Sequence, residues 1–296
     1  MVNKDNKPIG NKWSFDIENR SPFEKNQTEP PILRFNSNNR DKYIEEGIEY
    51  VKKNFSNHYG ELEKKEFIYP IDHSETLKWL DHFIKFKIAK FGKYEDAFSS
   101  NIRFGYHSLI SMLTNSGLIT PIQILNKVKN LKINLESKEG FIRQLIGWRE
   151  YCYFTYDLYS KNLENNPFYN LNNNKIPLKV WQGNTLFPPI DNILKNVKLN
   201  AYSHHIERLM GIGNYLILIG VSQKEIFLWF QTMYIDAYHV FMYPNVYGML
   251  CYGKLNEKSK MMTRPYFCSS NYLKKMSNFK SSEIIIDNKK YKWDDI

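Results

Sequence analysis

The sequence predicts a mostly α-helical fold, built as one multi-helix domain. Apolar residues recur at helical spacing through most of the chain, and prolines and glycines open and close these segments. Strand-like alternation is scarce until "EIIID" near the end. A chain of 296 residues, of which 42% are hydrophobic and 16% aromatic, can bury a sizeable core. These observations favour a helical assembly over a sheet-based one.

The first half of the chain predicts an arm and then four helices. Residues 1–38 are polar and rich in Asn and Pro, which indicates an extended N-terminal arm, and residues 39–296 form the helical domain. An apolar stripe predicts the first helix, over 41–55. Ser74 is the expected N-cap of the second, which ends before Gly92. The third and fourth are expected at 107–116, closed by a glycine, and at 121–130, opened by a proline.

The second half continues this pattern. A long amphipathic stretch covers 138–159, and a loop with a short helix covers 179–200. Two helices, 204–219 and 222–238, are expected to form a tight antiparallel pair. The loop-rich remainder contains a short helix near residue 270.

Composition narrows the classes of function. The formal net charge of +10 favours an anionic partner, nucleic acid first, although a coding bias towards Lys and Asn would give the same total. The three cysteines form no CxxC pair, so neither a disulfide framework nor a zinc cluster is implied. The start, "MVNKDNKPIG", has no apolar core typical of a signal peptide, and no apolar run is long enough to span a bilayer. We expect a soluble intracellular protein without a membrane partner.

Two stretches carry more polar specificity than a helical core needs. In "YHSLISMLTNSGLITP", Ser108 and Ser111 are expected on the first turn of one helix, where they would bind a phosphate or simply cap the helix. In "QLIGWREY", Trp148 offers a stacking face in a cleft or belongs to the core. Its neighbour Arg149 makes a structural ion pair or contacts a ligand.

The stretch "AYSHHIERLM" indicates a proton-transfer site. His204 and Arg208 would share one helix face, with His205 beside it. Histidine is the natural proton donor or acceptor near neutral pH. A metal site is the weaker alternative, because adjacent histidines diverge and no carboxylate or cysteine is spaced to complete a shell. We therefore predict no metal.

A later stretch, "LWFQTMYIDAYHVFMYPN", places Asp236 among aromatic residues. It is either a costly buried charge or a hydrogen-bond acceptor for a ligand. The close-packed aromatic residues, Trp229 among them, either relay electrons or form a plain aromatic core.

Taken together, these stretches resemble the flavin domain of the cryptochrome/photolyase superfamily. More narrowly, they resemble the bacterial-type (6-4) photolyases, the deoxyribodipyrimidine photolyase-related family. The similar segments run through almost the whole chain in the family's order and spacing: "KPIGNKWSFDIENR", "FGKYEDAF", "YHSLISMLTNSGLITP", "RQLIGWREY", "VWQGNT", "AYSHHIERLM", "WFQTMYIDAY", "PNVYGM" and "TRPYFCSSNYLKKMSNF".

The resemblance implies a helical domain that binds FAD in a folded, U-shaped form. The implied cofactor-binding residues are His107, Ser108 and Ser111 at the diphosphate, Arg208 and Asp236 around the isoalloxazine and ribityl region, and Tyr238. The implied catalytic residues are His204, His205 and Tyr266, the implied electron relay is Trp229 and Trp181, and the implied lesion or DNA contacts are Trp148 and Arg149.

The chain also departs from the family pattern. The family's N-terminal α/β antenna domain is missing, so we expect the antenna chromophore to lie outside this chain, with a separate antenna polypeptide as one possible partner. Three positions of the family's four iron–sulfur cysteines hold Pro189, Lys280 and Glu283, so no cluster is expected. Without it, residues after 279 are expected to be loose. Phe230 replaces a relay tyrosine, which puts the last relay step in doubt.

The resemblance implies light-driven, flavin-dependent repair of pyrimidine dimers in UV-damaged DNA, with a histidine as general acid. Two alternatives remain: a non-repairing cryptochrome-like flavoprotein or partner subunit, and a decayed DNA-binding fragment. The expected compartment is the cytoplasm or nucleus, wherever the genome lies.

Overall fold

A computed structural model of the chain describes residues 2–60, 62–169 and 173–295, and it is mostly helical, as the sequence predicts. The α-helices are α1 (Asn38–Asn54), α2 (His73–Phe86), α3 (Ile88–Phe91), α4 (Ser111–Asn115), α5 (Pro121–Val128), α6 (Leu135–Ile142), α7 (Arg149–Asn165), α8 (Leu178–Gln182), α9 (Pro188–Asn200), α10 (Asn214–Leu218), α11 (Gln223–Met233), α12 (His239–Met242) and α13 (Ser270–Met276). Within the described ranges, no helix combines the length and the apolar character needed to cross a membrane.

Three π-helical segments and one small sheet complete the described secondary structure. The π-helical segments are Arg143–Trp148, Glu207–Gly213 and Tyr243–Leu250, and short 3-10 turns cover Ile9–Asn11, Lys64–Glu66 and Trp293–Asp295. Strands β1 (Glu283–Ile286) and β2 (Lys289–Lys292) pair antiparallel as a hairpin. Single-turn π-segments occur often at functional sites, because the extra residue in the turn redirects side chains. Trp148 lies on the first of them and Arg208 on the second.

The helix starting near residue 74 begins earlier than predicted and divides in two. Its N-cap is Asp72, not Ser74, because the Asp72 carboxylate accepts from the backbone N–H of Glu75 at 2.7 Å. Lys87 then leaves helical geometry and separates α2 from α3. At Gly92, which follows α3, a Cβ atom would lie 2.7 Å from the backbone nitrogen of Ser137, so only glycine permits this approach to α6.

The predicted helix over 107–116 is wrong in its first turn. Only α4 is helical there, and Leu109 adopts a left-handed backbone with φ of +52°. Ser108 therefore lies before the helix and does not share a turn with Ser111. A positive φ at a leucine is uncommon and needs tertiary support, which a local sequence pattern does not reveal.

Three other predicted elements also differ in detail. The stretch 138–159, predicted as one amphipathic helix, is divided among α6, a π-helical segment and α7. A single π turn interrupts the α-helical hydrogen bonds without ending the helix, so the sequence pattern does not mark it. In the stretch 204–219, His204 lies before the first helical residue. The helix predicted over 222–238 ends at Met233, with Ser222 as its N-cap.

Two buried clusters form most of the core. One gathers α9, α11 and the last π-helical segment around Ile193 and Trp229. The other gathers α2, α3 and α5 around Leu80 and Ile124. The candidate site residues described below come from the loops and π-helical segments that these elements hold in place.

Both ends of the described chain are tied to this body. In the arm, the Glu29 carboxylate accepts from the backbone N–H groups of Arg103, Phe104 and Gly105, the turn that leads to His107. At the other end, Trp293 is buried and its indole N–H donates to the Lys280 carbonyl at 2.9 Å. Within the described residues, the segment after 279 contains the β1–β2 hairpin and is anchored by this buried indole.

Candidate functional site

A bidentate ion pair joins two of the predicted residues. Arg208, on the second π-helical segment, donates to both carboxylate oxygens of Asp236 at 3.0 and 3.1 Å, and the Ser111 hydroxyl donates to the same carboxylate at 2.7 Å. Asp236 is 7% exposed. Burial alone would lower the pKa of Arg208, but the Asp236 carboxylate outweighs it and raises that pKa above its ordinary value. Fork-shaped pairing of this kind fixes both side chains in one geometry.

A second set of polar contacts extends this pair. The Asn115 amide donates to the Asp236 backbone carbonyl at 3.0 Å, and its oxygen accepts from Arg149 at 2.9 Å. Arg149 lies over the Phe241 ring at 4.4 Å. Burial lowers the pKa of Arg149, so an anion beside this guanidinium would stabilise its charged form. Nearby, the Trp148 indole donates to Asn245 at 3.2 Å.

Three histidines meet beside this network. The rings of His107 and His204 stack with centroids 4.6 Å apart and planes inclined by 10°. His205 lies 5.8 Å from the first ring and 5.7 Å from the second. His107 lies four residues before Ser111 in the chain, and the His204 carbonyl accepts from the Arg208 backbone N–H at 3.0 Å. The segments 107–111 and 204–208 therefore carry the three histidines. They also carry Arg208 and Ser111, which both donate to Asp236.

The buried pair of histidines is neutral. Burial, followed by the neighbouring positive charges, lowers the pKa of His107 and of His204 well below the ordinary value. His204 Nδ1 accepts from the Ile206 backbone N–H at 3.3 Å, so its proton is carried on Nε2. Nε2 of each of the two rings is buried without a hydrogen-bond partner among the described residues. Two buried ring nitrogens without hydrogen bonds lower the stability of the fold unless a ligand or water bonds to them.

His205 differs from this pair in exposure and charge. Its side chain is 48% exposed, and its Nε2 lies 3.2 Å from Asp96 Oδ1. Burial would lower its pKa, but the hydrogen bond and charge of Asp96 outweigh that and raise the pKa of His205. Below this raised pKa, His205 is an imidazolium ready to give up a proton.

One further acid lies at the base of the cluster. Glu207 is 2% exposed, and its carboxylate accepts from the His204 backbone N–H at 3.0 Å. Burial raises the pKa of Glu207 to about 7. Glu207 therefore gains or loses a proton near neutral pH. Its Oε2 atom lies 3.7 Å from His204 Nε2.

The three histidines could also be considered as metal ligands, since their ligand atoms lie within 4.8 Å of one another. An imidazole nitrogen binds a metal in the plane of its ring, at about 2.0–2.1 Å for zinc. Two parallel stacked rings do not share such a plane, so His107 and His204 cannot ligate one ion as they stand. The arrangement suits proton transfer better than metal binding.

The contacts of the other predicted residues lie outside this network. The Ser108 carbonyl accepts from the Trp79 indole at 2.8 Å, and the Tyr266 carbonyl accepts from Asn214 at 3.0 Å. Tyr238 is 44% exposed at the start of α12. Trp229 is fully buried in the core, and Trp181 stacks on Tyr59 at 4.7 Å.

The sequence analysis did not single out three residues that the structure places in the network. Asp96 is the partner of His205, Asn115 bridges Asp236 and Arg149, and Asn245 accepts from the Trp148 indole. Each lies within one of the family-like stretches, and its partner is distant in the chain, so the sequence gives no local signal of the pairing.

Comparisons with known proteins show what the chain as a whole is similar to. A family model described as deoxyribodipyrimidine photo-lyase-related protein matches residues 1–67. The chain is 32% identical over 276 residues to the (6-4) photolyase of Agrobacterium fabrum strain C58, an alignment that covers 92% of this chain and 53% of that protein. The chain is thus similar to this photolyase over nearly its whole length. It spans about half the length of this curated relative.

Solved structures show the same helical fold. A bacterial class III photolyase from Agrobacterium tumefaciens superposes with a TM-score of 0.54 at 19% identity, covering 72% of this chain and 42% of that one. A cryptochrome from Synechocystis sp. PCC6803 superposes with a TM-score of 0.53 at 17% identity, covering 61% of this chain and 39% of that one.

The side chains at the centre suit a large, polar, anionic cofactor. Arg149 and Arg208 supply positive charge, Ser111 and Asn115 supply short polar groups, and two buried imidazole nitrogens lack partners within the described part of the chain. A dinucleotide offers both phosphate oxygens and ring acceptors to such donors.

Proposed function

We propose that this chain binds FAD and uses it to repair UV-induced pyrimidine dimers in DNA. The observation that carries the proposal is the histidine cluster, in which a half-exposed histidine of raised pKa lies beside two buried neutral ones. A histidine that acts as general acid must be protonated to the imidazolium and must reach its substrate, and only His205 among the three meets both conditions. When bound, reduced flavin supplies light-driven electron transfer to the lesion.

The ion pair and its partners are assigned to the cofactor. Arg208 and Asp236 would hold the isoalloxazine and ribityl region, while Ser111, Ser108 and His107 would lie along the diphosphate. The Ser111–Asp236 hydrogen bond at 2.7 Å supports a common site for these groups. We assign residues 39–296 to this flavin-binding domain, with residues 1–38 as its arm.

His205 is proposed to protonate the reduced lesion from Nδ1. Asp96 holds the Nε2–H, and after the Nδ1 proton leaves, the neutral ring already has the tautomer that this hydrogen bond requires. His204, neutral and buried between His107 and His205, would hold the cluster in place without reaching the lesion. Tyr266, Trp148 and Arg149 are assigned to the lesion side, and Trp229 and Trp181 to the electron relay.

DNA binding is proposed to depend on the positive surface. The net charge of +10 predicts phosphate contacts whose strength falls steeply with salt. The chemistry requires the dimer to leave the base stack, which costs least at a damaged pair and so contributes to lesion selectivity.

The test begins with an absorption spectrum of the purified chain before and after blue light with a reductant. A flavin band that bleaches supports the cofactor site, and a protein that stays colourless after FAD is added contradicts it. Repair is then followed on lesion-bearing oligonucleotides under light. His205→Gln is expected to keep the flavin and lose repair, whereas the control His58→Gln, at an exposed histidine, keeps both.

A cryptochrome-like flavoprotein without repair activity is the second candidate, favoured by the fold shared with the Synechocystis cryptochrome. It predicts flavin bleaching without turnover of either (6-4) or cyclobutane lesions. A decayed DNA-binding fragment would bind DNA without flavin.

A further inference from the structure

A basic turn, residues 254–260, lies at the surface beside α7. An antiparallel bridge pairs Lys254 with Lys260, so the two side chains leave the same face of the turn. Like charges that lie directly opposite each other in this way destabilise the pairing. Among the residues that the structure describes, neither lysine has a carboxylate partner. An anion bound between the two lysines would therefore remove their repulsion.

Hydrogen bonds within the turn hold its backbone in one shape. The Asn256 side-chain oxygen accepts from the backbone N–H groups of Lys258 and Ser259, each at 2.9 Å. The Ser259 carbonyl accepts from the Leu255 N–H at 2.9 Å. The acid of the turn, Glu257, is exposed at its tip, three residues from either bridged lysine. A partner that binds here would meet a preorganised backbone, which lowers the entropy cost of binding.

Two aromatic rings lie against one of these lysines. The Lys260 Nζ atom lies 4.4 Å from the centroid of the Phe168 ring and 4.9 Å from that of Tyr252. The two rings meet edge to face with centroids 4.8 Å apart. Tyr252 is 7% exposed, whereas Phe168 is 40% exposed. Phe168 thus offers ring surface to solvent beside a positive charge, the combination with which proteins bind a single nucleic-acid strand.

The turn runs along the helix that begins beside the proposed lesion side. The Tyr151 hydroxyl donates to the Met261 carbonyl at 2.9 Å, and the Asn162 amide donates to the Leu255 carbonyl at 2.7 Å. The two donors are eleven residues apart, about three turns of an α-helix, so both leave the same face of α7 about 16 Å from each other. Trp148 lies at the near end, with its ring 5.6 Å from that of Tyr151. The turn therefore continues the proposed lesion side along α7.

We propose that this surface binds the DNA strand that flanks the lesion, a proposal that rests on the proposed function. Lys254 and Lys260 contact backbone phosphates, and Phe168 stacks on an unpaired base. At about 3.4 Å per nucleotide, the roughly 16 Å along α7 corresponds to about five nucleotides. A single strand fits this surface better than a duplex, because a base within a duplex is stacked on its neighbours and does not offer its face to Phe168.

Fluorescence anisotropy of a labelled, undamaged oligo(dT) strand, titrated with the full chain, tests this surface. The strand should bind saturably. Lys254→Gln combined with Lys260→Gln should weaken binding and reduce the slope of log K against log salt by about 1.4, since each phosphate contact on a single strand contributes about 0.7. The control, Lys132→Gln combined with Lys179→Gln, removes the same charge at two exposed lysines outside the surface and should leave the slope unchanged.

Two further measurements address the stacked base. Phe168→Ala should weaken binding of the single strand about tenfold and leave binding of a duplex of the same length unchanged. In the wild-type chain, which needs no variant to fold, a strand that carries 5-iodouracil should crosslink under near-UV light to the peptide that contains Phe168, because iodouracil bonds to an aromatic ring stacked on it.

The proposal is overturned if the wild-type chain does not bind the undamaged strand, or if the paired lysine variant behaves like its control. It is also overturned if the crosslink falls outside the peptide that contains Phe168. Neither readout measures flavin binding or repair. Failure here therefore leaves the proposed photolyase function standing, and a chain that binds the strand through these residues without repairing lesions overturns only that function.

Discussion

Removing the charge of Asp236 should be among the most destabilising conservative changes in this protein. Asp236→Asn keeps the size of the side chain and one acceptor oxygen but leaves Arg208 with no counter-charge. At the observed separation of 3.0 Å the pair is worth about 1.4 kcal/mol in a water-like medium and about 5.5 kcal/mol at an effective dielectric constant of about 20. The side chains are only 18% and 9% exposed, so the upper part of this range applies. Since Asn retains one hydrogen bond, we expect the free energy of unfolding to fall by about 3 kcal/mol.

Urea unfolding, followed by circular dichroism and tryptophan fluorescence, measures this loss. The matched control is Asp81→Asn, which breaks the exposed Lys127–Asp81 pair and should cost less than about 1 kcal/mol. Ser111→Ala, alone and combined with Asp236→Asn, completes a double-mutant cycle with an expected coupling of about 1 kcal/mol. If Asp236→Asn costs no more than Asp81→Asn, the reasoning from burial and bidentate geometry is refuted.

Three further predictions test other parts of the molecule. Asp96→Asn removes the partner that raises the pKa of His205, so the loss of repair with rising pH should begin at a lower pH; an unchanged pH–rate profile would exclude this pair. Trp293→Ala should lower the free energy of unfolding by about 3–5 kcal/mol and expose the C-terminal hairpin to limited proteolysis, because this indole is 2% exposed. Trp181→Phe should slow light-driven flavin reduction while dithionite reduction stays normal; equal photoreduction rates would remove Trp181 from the relay.

The helical class and several helix ends could be predicted from the sequence because their causes are local. Pro121 opens α5, and Thr120 and Gln123 form a capping box around it, so that boundary depends on neighbouring residues alone. The sequence placed the N-cap of α2 two residues too late, since Asp72 and Ser74 are both good caps and only the backbone path selects one. The left-handed residue Leu109 and the π-helical segments leave no comparable local signal.

The sequence by itself determined the kinds of residue available for chemistry: paired histidines followed by an arginine, a lone aspartate in an aromatic stretch, and serines after His107. Only the tertiary structure decided which of them meet. It stacked His107 on His204 and gave His205 an aspartate partner. The physical reason is that protonation, pairing and burial depend on distances between segments far apart in the chain, and those distances follow from the packing of the whole core.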